Sequence, residues 1–442
     1  MKRLIAFLIL VFTILIFLCS TVYSAEKNEQ IVLNWYQWFD ATTHETELIP
    51  TIAEFEKLYP NIKVELAAIP NEAYWDRLAL DIASGVEGDI VTLDTGAGLM
   101  GYYSQRPNGA FIPLDEYIKG YVLHDGTILE EDILGIDSVK ADGKIIGLPY
   151  IVFFAPVTAY RKSILSSAGV NPEELSTWTR YYEAAKKLTQ DTNGDGTIDI
   201  YGFGHPVYAE TISRWWHMHW LWTAGGGIFP KEQPPFTPDR LIYDCEENVK
   251  AITFLKKMLD ETGPSGQKTV SELHSMFANG ALATVQIATW TLANFESMMN
   301  ESDYMNDVGM VPFPEYDLGG AKNPPVCVSW GNPLAISSNC KYPKEAFDFI
   351  AFMHSKEAQK LAMRRATPTN KLIYDEFAKI KPKQAEFVRL VQNFEMRNVP
   401  DIIQWNQFDR IIQESIKSAL LGTVDVKQAL DQGQAEMEKA LK

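Results

Sequence analysis

The hydrophobic positions at the start of the chain change period in a regular order. Ile31 to Trp35 is a short apolar run of strand length. Glu47 to Tyr59 repeats its apolar residues at helical spacing until Pro60 stops it. Ile62 to Leu66 alternates as a second strand, Tyr74 to Ala83 returns to helical spacing and ends near Gly85, and Asp89 to Leu93 reads as a third, buried strand. This series predicts an α/β fold with a largely parallel sheet and helices on both faces. In such sheets ligands bind beyond the carboxyl ends of strands at a topological switch point, so the loops after Trp35 and Leu93 are the first candidate site.

Further along, Ile145 to Ala159 is extended and apolar, punctuated by Pro149 and Pro156. Helical patterns cover Pro172–Leu188, Arg214–Trp222, Asn248–Asp260, Val270–Ala278 and Lys344–Met363. Short strands are expected around Leu282–Ile287 and Val326–Ile336, and the C-terminal region is nearly all helix, with turns at Pro400 and Gly422. The second half therefore predicts a second α/β lobe.

The N-terminus changes the picture of where the chain works. Lys2 and Arg3 precede an apolar run from Leu4 to Leu18, followed by a small polar stretch, which is the order of a signal peptide. Val22 and Ser24 suit the −3 and −1 positions, so residues 1–24 are expected to be removed and the protein to be exported, to a periplasmic or other extracytoplasmic location. An uncleaved anchor and a lipid on Cys19 are the alternatives, the second disfavoured by the large Leu18. What remains is long enough for two or three domains. The formal net charge of −17 becomes more negative without Lys2 and Arg3, which makes nucleic acid a poor partner. Cys245, Cys327 and Cys340 have no metal-like spacing and read as buried thiols, with at most one disulfide.

Several short segments, in order along nearly the whole mature chain, carry a resemblance. They include Phe55-Glu56-Lys57-Leu58-Tyr59-Pro60-Asn61-Ile62-Lys63-Val64, Gly88-Asp89-Ile90-Val91 and Asp142 to Pro149. Tyr160-Arg161-Lys162, Ala168-Gly169-Val170, Phe277 to Trp290, Leu334-Ala335-Ile336, Ala346 to Ile350 and Gly422 to Leu430 continue it. The chain resembles the extracellular solute-binding proteins of bacterial ABC importers, in the cluster that includes the maltodextrin-binding proteins. The resemblance implies a two-lobed periplasmic-binding-protein fold of type II, with a ligand cleft between lobes and three hinge crossings, near Pro149, near Pro312 and shortly after Met363. Residues 25–149 with 312–363 would then form one lobe, and 150–311 with 364–442 the other. It further implies a monomeric receptor without a cofactor, whose ligand-closed form docks on the permease subunits of an importer.

The candidate site combines position with chemistry. Sugars present C–H faces that flat aromatic rings cover, and O–H edges that carboxylates, amides and Arg bind. Gln37, Trp38 and Asp40 follow the first strand, Asp94 and Thr95 follow the third, and Tyr150 follows the first proline crossing. The resemblance places Trp215 and Trp216, then Trp290, then Trp330 at stacking positions. It also places Asp409 where maltodextrin binders carry a tryptophan, with Trp405 one helical turn earlier. Ala288, often Gly in relatives, and Phe153 or Phe154, in a region that supplies a carboxylate in maltodextrin binders, are further departures. Loss of one stacking platform and gain of a carboxylate predict a carbohydrate or polyol more compact than a long maltodextrin.

Three other signals carry less. Asp191-x-Asn193-x-Asp195-Gly196 with Asp199 resembles the first part of a calcium loop, but Gly202 stands where a bidentate Glu belongs, so an Asx-rich turn is the competing reading. His217 and His219, two apart in a helical stretch, point to different faces and make a poor zinc pair; polar surface or ligand hydrogen bonding is expected for both. Gly225-Gly226-Gly227 lacks the context of a phosphate loop and reads as a helix stop. The competing function class is a secreted glycoside hydrolase or lyase, which needs a defined carboxylate pair that no spacing here singles out. A receptor for glycerophosphate-type or uronate ligands would need a basic pocket, for which Arg214 and Arg365 are the candidates.

Overall fold

In a computed structural model, which describes residues 30–39, 41–94, 99–141, 143–207, 215–363 and 366–442, the first strand is β1 (Ile31–Gln37). Its burial alternates, with Leu33, Trp35 and Gln37 covered, as a half-buried strand requires. The chain continues through β2 (Ile62–Ala68), β3 (Ile90–Thr92), the small hairpin β4 (Lys140–Ala141) and β5 (Lys144–Ile145), β6 (Leu148–Ala155) and β7 (Val157–Arg161). The later strands are β8 (Thr284–Ile287), β9 (Val308–Pro312), β10 (Val326–Ile336), β11 (Thr367–Pro368) and β12 (Glu395–Met396).

Apart from the β4–β5 hairpin, the described strands form two sheets. The larger has the order β11-β6-β10-β3-β1-β2, with β12 paired to the start of β10, and the smaller has the order β8-β7-β9. The large sheet is mixed. β1 runs parallel to β2 and β3, while β10 is antiparallel to both β3 and β6. The expectation of a largely parallel sheet holds only at the N-terminal edge, because β10 is not made by a local strand–helix–strand step; it arrives from the other sheet.

Alternate residues of the large sheet feed opposite faces. Ile90, Leu334 and Ile336 join Leu33, Trp35 and Phe55 in one core, whereas Val91 and Ala335 join Tyr74, Leu78 and Ile82 in another. Helices therefore cover both faces, Ile49–Leu58 and Pro343–Phe352 on the first and Asn71–Ser84 on the second. The Trp35 indole N–H is not wasted in this core, since it donates to Thr92 Oγ1 at 2.8 Å.

Around the small sheet the core is aromatic. Trp178, fully buried in the helix Trp178–Leu188, stacks on Phe254 at 5.1 Å, meets Tyr316 edge-on at 4.9 Å and gives its N–H to Pro314 O at 3.1 Å. The C-terminal helices Trp405–Leu420 and Val426–Ala440 pack into the same core.

The step between sheets falls at Ala155–Pro156, where β6 ends and β7 begins, past the Pro149 at which the sequence suggests it. Beyond Met363 the chain still contributes β11 to the large sheet. The single helix expected over Lys344–Met363 is two, Pro343–Phe352 and Lys356–Ala362. Ser355 restarts the second by accepting the Ala358 N–H at 3.2 Å, a side-chain cap that apolar periodicity does not reveal. Gly225, at φ 98°, ends the helix Met218–Ala224 in the left-handed cap expected of a helix stop.

Candidate ligand-binding cleft

Trp290 stands where the two lobes meet. It is half-buried and packs against both the aromatic core of the small-sheet lobe and the core of the large-sheet lobe. Its ring meets Trp215 edge-on at 4.7 Å, Trp216 at 6.4 Å and Phe153 at 5.6 Å, at interplanar angles of 84°, 80° and 88°. Trp290 follows β8 and opens the helix Thr291–Met298, Phe153 lies on β6, and Trp215 and Trp216 precede the helix Met218–Ala224. Edge-to-face pairs fix ring orientation and each contribute about 0.5–1.5 kcal/mol beyond burial, so the ring is held at a set angle. Backbone register sets Trp330 on β10 directly opposite Phe153, while the Trp330 side chain lies outside the described residues.

The loop after β1 forms a second group. Trp38, half-buried, lies 4.7 Å from Trp75 and 4.8 Å from Tyr74, ring to ring. Beneath it Gln37 is fully buried, touching the His44 ring through Nε2 and accepting the Phe39 N–H through Oε1. Asp94, at the end of β3, is 5% exposed. Asp40 and Thr95 fall outside the described residues, as do Arg214 and Arg365. Neither Tyr74 nor Trp75 was singled out by the sequence, because helical spacing assigns Tyr74 to the core; the adjacent aromatic pair is the signal that could have flagged them.

The remaining candidates are placed differently. Tyr150 is fully buried in β6 and its hydroxyl donates to Glu47, while its carbonyl accepts Gln359 Nε2 at 2.9 Å. Trp405 is 2% exposed inside the small-sheet core. Asp409, one turn on, is half-buried and accepts Gln413 Nε2 at 2.7 Å.

A lobe-to-lobe contact lies nearby. The Met100 N–H, in the helix Leu99–Tyr103 that belongs to the large-sheet lobe, donates to Asp401 Oδ1 at 3.0 Å. Asn406 bonds the Tyr102 hydroxyl, and burial pushes the Asp401 carboxyl up to about 6.

The calcium-like loop turns inward on itself. Asp191 accepts the N–H groups of Gly194 and Gly196, Asn193 that of Asp195, and Asp195 that of Thr197, at 2.7–2.8 Å, while Asp199 accepts that of Thr192. Among the described residues no group of three or more His, Cys, Asp or Glu gathers as a metal site would. His217 and His219 are not on a polar surface, contrary to expectation. Both are buried, because the small-sheet lobe fills its core with rings: His217 Nδ1 meets His205 Nε2 at 3.0 Å, the His205 ring lies edge-on to Trp220, and His219 lies against Phe313. Desolvation holds His217 down to about 4 and His219 to about 3. The three cysteines Cys245, Cys327 and Cys340 are free thiols.

The sequence pattern of the family described as bacterial extracellular solute-binding protein matches residues 41–360, and the chain belongs to that family. An arabinooligosaccharide-binding protein of Bacillus subtilis is 25% identical over 367 residues, covering 80% of this chain and 77% of the relative. A galactooligosaccharide-binding protein of the same organism is 23% identical over 418 residues, covering 93% and 90%. A Thermotoga lettingae ABC-transporter solute-binding protein, solved with α-D-tagatose, shares the fold at a TM-score of 0.73 and 21% identity, over 93% of this chain and all of that one. The two-lobed expectation is thereby met.

Proposed function

We propose that this solute-binding protein captures a compact carbohydrate or polyol, unaltered, at the Trp290 cleft and delivers it to an ABC importer in the membrane. The observation that carries the reading is the position of Trp290: a half-buried indole that contacts both lobe cores and is braced edge-on by Trp215 and Phe153. A flat ring held at a fixed angle between two lobes is a stacking platform that a ligand completes when the lobes close. Trp38 with Trp75, and Asp40, Asp94 and Thr95 at the strand ends, would supply the large-sheet wall and its hydrogen bonds, with Gln37, fully buried, supporting them from beneath. Trp330, on β10, would border the large-sheet side as well, and Trp216 and Asp409 the opposite wall. Tyr150 and Trp405, fully covered, would support rather than touch. Relatives named for arabino- and galactooligosaccharides support the carbohydrate class.

The working lobe division starts from residues 25–149 with 312–363 against 150–311 with 364–442, with the first boundary moved to Pro156 because β6 belongs to the large sheet and the last moved past Pro368 because β11 pairs with β6. Export through a cleaved leader at residues 1–24 completes the proposal. Calorimetry with D-tagatose, D-arabinose, ribitol and maltotetraose tests it. Binding of a monosaccharide or polyol, with the ligand recovered intact, supports the reading; tight binding of maltotetraose alone removes the compact-ligand part, and product formation removes the receptor.

A further inference from the structure

Lys231 and Glu232 both sit at φ 54°, and among the described residues they are the non-glycine positions with positive φ. Left-handed backbone without glycine costs on the order of 1 kcal/mol or more per residue, and such residues cluster at ligand clamps and switches. Part of this turn is explained internally. The Glu232 carboxylate accepts Trp222 Nε1–H at 2.8 Å, the Ile228 N–H at 2.9 Å and the Phe229 N–H at 3.1 Å. Those bonds hold Glu232 and leave Lys231 unexplained, with its side chain exposed.

A cavity of about 620 Å³ opens beside this turn, between it and the segment from Glu395 to Asp401. Its chemistry is mixed in a particular way. Lys231 offers a cationic donor, the Gln233 and Asn398 amides offer donors and acceptors, and Phe236 and Met396 offer an apolar face. Arg397 is spoken for, giving Nε and Nη2 to Glu395 Oε1 at 3.1 and 2.5 Å and lying 5.9 Å from the centre of the Trp222 ring. Alternating donors and acceptors over an apolar patch suit hydroxyl groups on a carbon skeleton, and the volume suits a ligand of a few rings at most.

The cavity is also mechanically placed. β12, which supplies Glu395 and Met396, pairs with Val326 and Cys327 at the start of β10, where the chain passes from the small sheet to the large one. At its other end Asp401 reaches the Met100 N–H of the large-sheet lobe. None of the residues of the Trp290 group lines it.

From this geometry we infer that the cavity between the Lys231–Phe236 turn and β12 is a second binding site, separate from the tryptophan cleft, for a compact polyhydroxylated solute such as a monosaccharide or short polyol. Because it is lined by β12, which pairs with the crossing strand, and by Asp401 of the lobe contact, its occupancy alters how tightly the cleft holds its own ligand, and the coupling is reciprocal.

The test uses the full mature protein with D-arabinose, D-tagatose, ribitol and D-mannitol as probes, titrated by calorimetry into wild type, Trp290→Ala, Gln233→Trp and Asn398→Ala. Gln233→Trp fills the cavity, and Asn398→Ala removes one half-buried amide that lines it. The inference predicts that Trp290→Ala retains a one-to-one isotherm for at least one probe, and that this isotherm weakens by about tenfold or more in the double variants with Gln233→Trp or Asn398→Ala, the loss of roughly one good hydrogen bond. If Trp290→Ala abolishes all binding while wild type binds one equivalent, or if the remaining isotherm ignores both cavity variants, the second site is overturned and the cleft reading stands. If Gln233→Trp alone abolishes the only isotherm of wild type, the second site stands and the cleft reading falls. Absence of binding by wild type to all four probes overturns the polyhydroxylated class.

Discussion

The Asp401 carboxylate accepts the backbone N–H of Met100 at 3.0 Å and thereby ties the segment leading into the helix Trp405–Leu420 to the opposite lobe. A hydrogen bond to a carboxyl group contributes about 1.5–3 kcal/mol, which is roughly a ten- to hundredfold bias of a closing equilibrium. Asp401→Ala should therefore weaken cleft binding by about tenfold and raise the radius of gyration of the ligand-loaded protein in small-angle scattering. Asp401→Asn, which keeps an acceptor oxygen, should restore most of the loss. Equal affinity and equal dimensions in the Ala variant would remove Asp401 from lobe closure.

Acid should destabilise the protein well before its surface carboxylates titrate. His205, His217, His219, His274 and His354 are buried, and desolvation lowers all five from the usual 6.5, to about 4 for His217 and His274 and about 3 for His219 and His354. The unfolded chain then binds more protons than the native one below 6.5, so this contribution is present above that pH and is lost as pH falls towards 4. Glu232, raised to about 7, and Asp401, raised to about 6, act oppositely, favouring the fold while protonated and losing that stability as pH rises through those values. Five imidazoles outweigh two carboxyls. Thermal midpoints should fall steadily from about pH 6.5 to about pH 4; a flat or rising profile on acidification would contradict the burial of the histidines.

Backbone proximity should make one glycine intolerant. A Cβ on Gly202 would lie 2.0 Å from the Ala185 carbonyl oxygen, in the helix Trp178–Leu188, and neither backbone can yield cheaply. Gly202→Ala is expected to cost about 1–3 kcal/mol or more by overpacking, read as a lower denaturation midpoint at unchanged slope. An unchanged midpoint would mean that the loop after Ile200 can move away from the helix.

Calcium should leave the protein unmoved. Among the described residues no group of three or more His, Cys, Asp or Glu gathers as a metal site would, and Asp191, Asp195 and Asp199 close their own loop by accepting its backbone N–H groups. Melting temperatures in excess calcium and in chelator should coincide, and a rise of several degrees with calcium would reverse that reading.

Much of the fold lay open in the sequence where burial and period agree. The first strand, expected over Ile31–Trp35, runs to Gln37; the second, expected over Ile62–Leu66, runs to Ala68. Periodicity failed where a single polar residue decides, as at Ser355, whose hydroxyl restarts a helix inside a continuous apolar pattern. It failed also where chain topology decides, since no local pattern announces that β10 will lie antiparallel between β3 and β6. The grouping of Trp290 with Trp215 and Trp216, proposed as the cleft, was legible. The Trp38 neighbours Tyr74 and Trp75 were not, because a helix face alone does not say what packs above it. Asp401 joins a residue three hundred positions away, a relationship that only the folded lobes define.

The central claim is that an indole held between the lobes binds the ligand, and the most direct measurement is calorimetric titration of Trp290→Ala beside Trp215→Ala and Trp216→Ala with the tightest compact ligand found for wild type. Loss of a stacked ring is expected to cost about 1–3 kcal/mol at Trp290, roughly ten- to hundredfold in Kd, with a smaller loss at Trp215, which braces it. Wild-type affinity in all three variants would contradict the assignment of the cleft.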